Sequence, residues 1–262
     1  ACVKGRISRM DDESTSPVAV SGEPNSLTGE WARVRAFVAR PRLPDPVEPR
    51  PSRPVVALLR VFLLDLALMA TLATIAAIVI ASGIELPESS LANLAVTPGL
   101  IAAILIVAPV GEEIAFRGWL SGRKRDVLAC VVFLGGMGAT AWLGASDMTG
   151  AAIWSIAALT FTLGLTVILF WTARHRPAMR WFAGLFPLFY WLSTLAFACV
   201  HLFNFEEGAL FVLLPLVLPQ FVLGALLGYM RVTYGLGTSI ALHALHNGTA
   251  MALVALATVT AS

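Results

Sequence analysis

The feature that most constrains this chain is a succession of long apolar runs that begins after residue 54. Each run is long enough, at about 1.5 Å per residue in a helix, to cross a hydrocarbon layer of about 30 Å. Hydrophobic residues make up 58% of the chain and charged residues only 13%, which lies outside the usual range of soluble domains. The runs lie near residues 61–83, 96–119, 127–145, 151–171, 183–205, 209–230 and 236–258. We therefore predict an all-α, polytopic membrane bundle of about seven transmembrane helices.

The distribution of charge predicts how these helices cross the membrane. Ten of the 18 basic residues lie in the first 60 positions, and basic loops face the cytoplasm in membrane proteins. If the N-terminus is cytoplasmic, every basic loop lies inside and every acidic loop lies outside. This alternation holds for an odd number of spans. The inner residues are Arg123, Lys124, Arg125, Arg174, Arg176, Arg180 and Arg231, and the outer ones are Glu85, Glu88, Asp147, Glu206 and Glu207. We therefore predict seven spans with the C-terminus outside.

Net charge and cysteine usage exclude several function classes. The formal net charge is only +2, so no basic excess indicates nucleic-acid binding. The cysteines Cys2, Cys130 and Cys199 are widely spaced. Neither a disulfide scaffold nor a thiolate zinc site is therefore expected.

The first 54 residues are predicted to form a cytoplasmic tail, distinct from a membrane domain over 55–262. They contain no apolar run, so no cleavable signal peptide is expected, and Met10 is a candidate natural start. Residues 11–29 are rich in Ser, Pro, Gly and acidic side chains, a composition typical of disorder. Six prolines over 41–54 predict a stiff, extended spacer.

Residues 30–40 differ from the rest of this tail because apolar side chains recur there at helical spacing. The apolar residues are Trp31, Val34, Phe37 and Val38, and the basic residues between them are Arg33, Arg35 and Arg40. This pattern suits a short helix that lies on anionic lipid. A partly ordered basic linker is an equally good interpretation of the same residues.

Ionisable residues within the apolar runs are the main candidates for function, because burying such a group in a bilayer costs several kcal/mol. They occur in four places: Asp65, close to Arg60; the segment Glu112-Glu113-Ile114-Ala115-Phe116-Arg117; His201; and the segment His243-Ala244-Leu245-His246-Asn247. We interpret Asp65 as structural, either paired or reaching toward the interface. The other three places are candidates for chemistry.

Helical spacing assigns different parts to the two adjacent glutamates. Glu113 and Arg117 are four residues apart and can neutralise each other, whereas Glu112 projects about 100° away. Glu112 is then the free carboxylate. A desolvated carboxylate is a suitable general base for water when a partner helps to hold that water, and His201 could be this partner.

The last apolar run carries a second pair at helical spacing. His243 and Asn247 are also four residues apart, so an imidazole and a carboxamide project from one face as hydrogen-bond donors. Two donors on one face make a plausible oxyanion site.

Two other interpretations of these residues stay open. In the first, Glu113 and Arg117 form a buried ion pair, and the histidines and Asn247 only join neighbouring helices. In the second, the carboxylates and imidazoles bind a metal, although the sequence lacks the His-Glu-x-x-His pattern of zincins. His175 lies between two arginines in a loop and is interpreted as solvated.

Taken in order, the three motifs resemble those of the CPBP intramembrane proteases, which include the type II CAAX prenyl endopeptidases and the bacterial Abi proteins. That family's signatures are Glu-Glu-x-x-x-Arg, Phe-x-x-x-His and His-x-x-x-Asn/Asp on separate spans. The matching residues are Glu112, Glu113, Arg117, Phe197, His201, His243 and Asn247, and the resemblance covers roughly residues 96–258.

The resemblance implies a role for each motif. Glu112 and His201 would activate the attacking water, His243 and Asn247 would stabilise the oxyanion, and Glu113 and Arg117 would organise the site. It favours a glutamate-based mechanism with no required metal. The alternative is a zinc ion held by Glu112, His201 and His243.

The chain departs from the family pattern in the long stretch between Arg117 and His201. We interpret the excess, residues 127–172, as an inserted helical hairpin. A continuous helix from Arg180 would place His201 about 31 Å deep, too far from Glu112 at about 18 Å. We therefore predict that 177–186 lies along the interface and that the span begins at Pro187.

The sequence thus predicts an intramembrane endopeptidase that acts on a membrane-associated or prenylated-type protein substrate. Its other partner is membrane lipid, and many Ala and Arg with few Lys residues suggest the inner membrane of a bacterium. The alternatives are a non-catalytic binding or bacteriocin-immunity-type protein and, with less support, a proton-coupled transporter.

Overall fold

The computed structural model describes residues 26–44, 53–87, 89, 97–172 and 177–261. The candidate start at Met10, most of the segment predicted to be disordered, most of the proline-rich spacer, Glu88 and the loop 174–176 with His175 lie outside the described residues. The helices are α1 (Leu27–Ala39), α2 (Pro54–Ala81), α3 (Pro98–Ser121), α4 (Lys124–Gly144), α5 (Ala151–Trp171), α6 (Arg180–Gly184), α7 (Phe186–Val200), α8 (Leu210–Leu216), α9 (Leu218–Thr233) and α10 (Leu236–Ala261). The prediction of an all-α membrane bundle is confirmed.

The number of spans depends on how one bent pair of helices is counted. Among the described residues, six helices are long and apolar enough to cross a membrane: α2, α3, α4, α5, α7 with its following turn, and α10. The pair α8 and α9 passes the same test together but bends by 45° at Val217. Pro215 and Pro219 flank this bend, and proline cannot donate to the helical hydrogen-bond ladder. Counted as one broken span, the pair brings the total to the seven predicted.

Large apolar side chains cover the outside of the bundle. Exposed examples on α2, α5 and α10 include Ile75, Ile78, Ile153, Phe161, Leu253 and Val254. A soluble monomer rarely exposes so much contiguous apolar surface. This surface is the one expected to face lipid.

The core forms around α9, in which eight consecutive residues, Leu223–Met230, are buried. Side chains of α1, α2, α7 and α10 pack against it, including Val34, Val61, Phe197 and Leu242. Close approach of α7 depends on a glycine, because a Cβ on Gly228 would lie 2.6 Å from the Tyr190 ring. The Tyr190 hydroxyl then donates to the Ala225 carbonyl at 2.9 Å.

Helix α1 packs on the protein and is not a loose linker. Val34 is buried in the core, and Trp31 Nε1 donates to the Arg60 carbonyl at 2.8 Å. Phe37 makes edge contacts with Tyr190 and Tyr229. The interpretation in which this apolar face lies on lipid is therefore wrong. The division of the chain at residue 54 stays a prediction, although α1 packs on the membrane domain.

A buried carboxylate, Glu30, fixes α1 to the end of α9. It is only 1% exposed and accepts hydrogen bonds from the hydroxyls of Tyr229 at 2.6 Å and Tyr234 at 2.9 Å. Arg33 pairs with it. Burial and the Glu30 carboxylate raise the pKa of Tyr234, so that hydroxyl stays protonated as a donor. The sequence pattern did not reveal this contact, because Glu30 is one isolated acidic residue.

The break predicted before the fifth apolar run is confirmed. Helix α6 ends at Gly184, Leu185 is not helical, and α7 begins at Phe186 with Pro187 in its first turn. Proline is favoured there because first-turn amides have no helical partner. The position of α6 along the membrane interface stays a prediction.

The segment predicted as an inserted hairpin forms α4 and α5, which pack mainly on each other. Contact is closest at Gly136, where a Cβ would lie 2.0 Å from Thr162 Oγ1. Thr162 is itself 4% exposed. Whether this pair of helices is an insertion stays a prediction.

Replacing Gly136 by alanine should loosen the α4–α5 pair. The added methyl group overlaps Thr162, and overpacking of this kind costs about 1–3 kcal/mol. The measurement is the free energy of unfolding in mixed detergent micelles. Gly138→Ala is the matched control, because its added Cβ has no atom within 4 Å and it gains the same helix propensity. Equal stability of the two variants would contradict the prediction.

Candidate active site

The predicted site residues of the first motif lie on α3, which is an irregular helix. Two π-helical segments, Ala103–Val107 and Glu113–Arg117, flank a short α-helical segment, Ala108–Glu112. π-Helical turns are rare and occur frequently at functional sites. Glu112 is the last residue of the α-helical segment, and Glu113 is the first residue of the second π-helical segment.

Glu113 and Arg117 form the ion pair that their spacing predicted. Arg117 Nη1 lies 2.8 Å from Glu113 Oε1, and both side chains are fully buried. The second oxygen of Glu113 accepts a hydrogen bond from the Ser239 hydroxyl on α10. This carboxylate is therefore committed to structural partners.

The Arg117 guanidinium is also held by an aromatic ring and by a glycine. Its Cζ atom lies 3.8 Å from the centroid of the Phe197 ring, a cation–π contact that helps a buried cation. A Cβ on Gly224 would lie 3.1 Å from Arg117 Nη2, so Gly224 leaves space for it. Arg117 Nε and Nη2 make no hydrogen bond among the described residues.

His243 lies between the two glutamates. Its Nδ1 is 3.1 Å from Glu113 Oε1 and its Nε2 is 3.8 Å from Glu112 Oε2. Because a carboxylate only accepts, Nδ1 carries a hydrogen and donates to Glu113. Nε2 of His243 then faces Glu112. A proton on either group would allow a hydrogen bond between Nε2 and the Glu112 carboxylate.

Glu112 is the carboxylate that remains available. Its side chain is 31% exposed, and its Oε2 atom is buried without a hydrogen bond among the described residues. The contrast with Glu113 agrees with the division of roles predicted from spacing. The role of Glu112 in catalysis stays a prediction.

His201 is the first residue of the 3₁₀ turn that follows α7. Its Nδ1 lies 2.7 Å from the Phe197 carbonyl, so Nδ1 donates and Nε2 of the neutral ring is an acceptor. The Phe197 ring lies next to both histidines, at centroid distances of 4.7 Å from His201 and 5.5 Å from His243. Among the described residues, His201 makes no hydrogen bond or ion pair with Glu112.

Asn247 and His243 contact different parts of α3. Asn247 Nδ2 donates to the Ile104 carbonyl at 3.0 Å, whereas His243 contacts the glutamates. One of the two amide hydrogens of Asn247 is thus already used. Their joint action on an oxyanion stays a prediction.

A second buried polar pair joins α2 to α10, and its partner residue was not identified from the sequence. Asp65 on α2 is fully buried, and its Oδ2 lies 2.8 Å from Nδ1 of His246 on α10. The interpretation of Asp65 as structural and paired is confirmed, and the alternative, that it reaches toward the interface, is wrong. An acidic residue inside an apolar run was the available signal, but its partner is 181 residues away.

Arg231, which the sequence indicated only as a charge on the inner side, contacts the end of α3. Its Nε and Nη2 donate to the carbonyls of Arg117 at 2.9 Å and Gly118 at 2.6 Å. It also lies 3.5 Å from Asp126. A cation at the carbonyl end of a helix is stabilising. Arg231 thus supports the end of α3 that carries the first motif.

The residues suggested as alternative zinc ligands do not converge. Among the described residues, no group of three or more His, Cys, Asp or Glu side chains is placed to hold a metal ion. Zinc sites in hydrolases use three protein ligands. Glu112 and His243 face each other, but His201 is not part of that group, so the residues as arranged do not fit such a site.

Comparison with known families identifies the group to which the chain belongs. A family model described as type II CAAX prenyl endopeptidase Rce1-like matches residues 94–249. The chain belongs to this family. The match includes all three motifs, and it confirms the resemblance to the CAAX branch of the CPBP proteases.

The family match also separates the shared part of the chain from the rest. Helices α1 and α2 lie outside the matched residues, so Asp65 and Glu30 are not part of the Rce1-like match. No curated protein and no solved structure matches the chain. As a member of this family it is a multi-pass membrane protein of the CAAX endopeptidase type.

Proposed function

We propose that this protein hydrolyses a peptide bond of a membrane-associated or prenylated-type protein substrate with a water activated by Glu112. The observation that carries the proposal is the contrast between the two adjacent glutamates. Glu113 is fully committed to Arg117, His243 and Ser239. Glu112 is partly exposed and has a free oxygen that faces His243.

The charges of the site balance when His243 is an imidazolium. Glu112 and Glu113 then carry two negative charges, and Arg117 and His243 carry two positive ones. In this state both ring nitrogens of His243 donate, Nδ1 to Glu113 and Nε2 toward Glu112. A buried site with no net charge avoids most of the cost of burying single ions.

The first chemical step would be attack of water on the substrate carbonyl. Glu112 takes one proton from the water, and the resulting hydroxide forms a bond to the carbonyl carbon. His201 would orient the same water, because its Nδ1 is bound to the Phe197 carbonyl and its Nε2 can accept a hydrogen bond. The carbonyl oxygen becomes an oxyanion.

The second step would be collapse of the tetrahedral intermediate. Once Glu112 is protonated, it no longer attracts the Nε2–H group of His243 as a carboxylate does. This N–H group then donates a hydrogen bond to the oxyanion, and the second amide hydrogen of Asn247 donates another. The carbon–nitrogen bond then breaks, and Glu112 returns its proton to the leaving amine. Glu113 and Arg117 hold His243 in place and take no proton.

This chemistry uses no metal in any step, and zinc remains the alternative cofactor. We propose the inner membrane of a bacterium as its location, with the N-terminus in the cytoplasm. Described basic residues such as Arg123, Lys124 and Arg231 lie at helix ends on the predicted inner side, which supports this orientation.

The experiment that tests the function is cleavage of a library of membrane peptides, prenylated and unprenylated, by purified protein in detergent. We expect cleavage that continues in the presence of a strong chelator, because no step requires a metal. Mass spectrometry of the products identifies the cleaved bond and shows whether a prenyl group is needed.

Two results would contradict this proposal. Activity that is lost with the chelator and restored by zinc would replace the glutamate mechanism with a metal-dependent one. No cleavage of any peptide, with the protein folded, would favour the binding or immunity-type alternative.

A further inference from the structure

Helix α3 contains a proline, Pro109, within a membrane span. The amide of Ala108 bonds to the carbonyl of Ala103, five residues earlier. Continued in the same register, residue 109 would bond to the carbonyl of Ile104. Pro109 has no N–H to donate, so the Ile104 carbonyl receives no hydrogen bond from that position.

A carbonyl without a donor is costly inside a membrane, where water does not replace the missing partner. Here the replacement comes from another helix. Asn247 Nδ2 on α10 donates to the Ile104 carbonyl at 3.0 Å. The side-chain amide thus stands where the backbone amide of residue 109 would stand if the π-helical register continued through a residue other than proline.

The same contact has consequences for the proposed active site. Pro109 and Glu112 belong to one short α-helical segment, Ala108–Glu112, between the two π-helical segments. One turn before Asn247, His243 contacts Glu113 at 3.1 Å and faces Glu112 at 3.8 Å. Helix α10 therefore holds α3 at two points, one on each side of the Pro109 segment.

We propose that Asn247 is a positioning residue that replaces the missing amide of Pro109 and so fixes the irregular part of α3 that directs Glu112 toward His243. This inference rests on the proposed function for its kinetic test. It differs from the oxyanion role in one decisive respect. A positioning role depends on Pro109, whereas an oxyanion role depends only on the substrate.

The test is a double-mutant cycle of Asn247→Ala and Pro109→Ala, measured as kcat and KM for the cleaved peptide. In the Pro109→Ala background, the backbone can supply an amide to the Ile104 carbonyl. We expect Asn247→Ala to lower kcat about tenfold or more in the natural background, in line with an unsatisfied buried carbonyl. In the Pro109→Ala background the loss should be several-fold smaller, because only the hydrogen bond from the second amide hydrogen to the oxyanion is then removed.

An equal loss of kcat in both backgrounds would overturn the proposal and support direct action of Asn247 on the oxyanion. Thr249→Ala is the matched control on α10. Its hydroxyl bonds to the Leu245 carbonyl of its own helix, so its effect should be the same with and without Pro109.

The same four proteins are also compared by reversible unfolding in mixed micelles, which does not require activity. We expect Asn247→Ala to raise the unfolding equilibrium constant about tenfold only when Pro109 is present. If the natural protein cleaves nothing, the proposed function fails, and this unfolding cycle still decides whether Asn247 replaces the missing amide. Equal destabilisation in both backgrounds would overturn the inference by itself.

Discussion

Replacing Glu112 by glutamine should abolish peptide hydrolysis while costing the folded protein much less stability than replacing Glu113. Glutamine keeps the shape of the side chain but cannot accept a proton from water. General-base catalysis contributes about 10²–10⁴-fold to a rate. We therefore expect kcat to fall by about 10²-fold or more. Glu112 is 31% exposed and its contact with His243 is long, at 3.8 Å, so loss of its charge should lower the free energy of unfolding by only about 1 kcal/mol. The measurements are kcat on the cleaved peptide and the free energy of unfolding.

Glu113→Gln is the matched control for this prediction. Glu113 contacts Arg117, His243 and Ser239, so its replacement leaves a buried guanidinium without its counter-charge. We expect this variant to lose stability by about 3–5 kcal/mol as well as activity. Near-normal hydrolysis by Glu112→Gln would show that another group is the base, and equal destabilisation of the two variants would contradict the division of roles.

Replacing His246 by leucine should be among the most destabilising single changes in the chain. The Asp65 carboxylate is fully buried, and His246 is its ion-pair partner among the described residues. The substitution removes this partner. Breaking a buried pair in this way costs about 3–5 kcal/mol. Asp65→Leu should cost less, because His246 is 19% exposed and is therefore partly solvated after its partner is removed. The measurement is reversible unfolding in mixed micelles.

The double variant Asp65→Leu with His246→Leu decides whether charge is the cause. Two apolar side chains of similar size often replace a buried ion pair at little cost, so most of the lost stability should return. A double variant as unstable as His246→Leu alone would show that packing at this position, and not the uncompensated carboxylate, is responsible.

The three motifs illustrate what spacing along a helix can predict. Glu113 and Arg117 meet because they are four residues apart on the same helix, and this pair was predicted correctly. His243 and Asn247 also share one face, as predicted. Their partners on α3 were not predictable, because the π-helical segments around Pro109 change the direction of neighbouring side chains in a way that residue type alone does not indicate.

Helix α1 illustrates the opposite case. Its periodic apolar residues predicted a helix, which is present, but the same pattern suits a lipid surface and a protein surface equally well. The deciding contacts are those of Glu30 with Tyr229 and Tyr234, about 200 residues away in sequence. Only packing of the whole bundle brings these side chains together.

The sequence by itself determined the all-α membrane class, the positions of the spans, the family and the candidate residues, because hydropathy, helical periodicity and short motifs are all local properties of the chain. Only the tertiary structure decided which polar groups pair across helices: His243 with both glutamates, His246 with Asp65, and Asn247 with the Ile104 carbonyl. The physical reason is that a buried polar group must find a partner wherever packing provides one. The position of that partner depends on helix direction, bends and register, which arise only when the helices assemble.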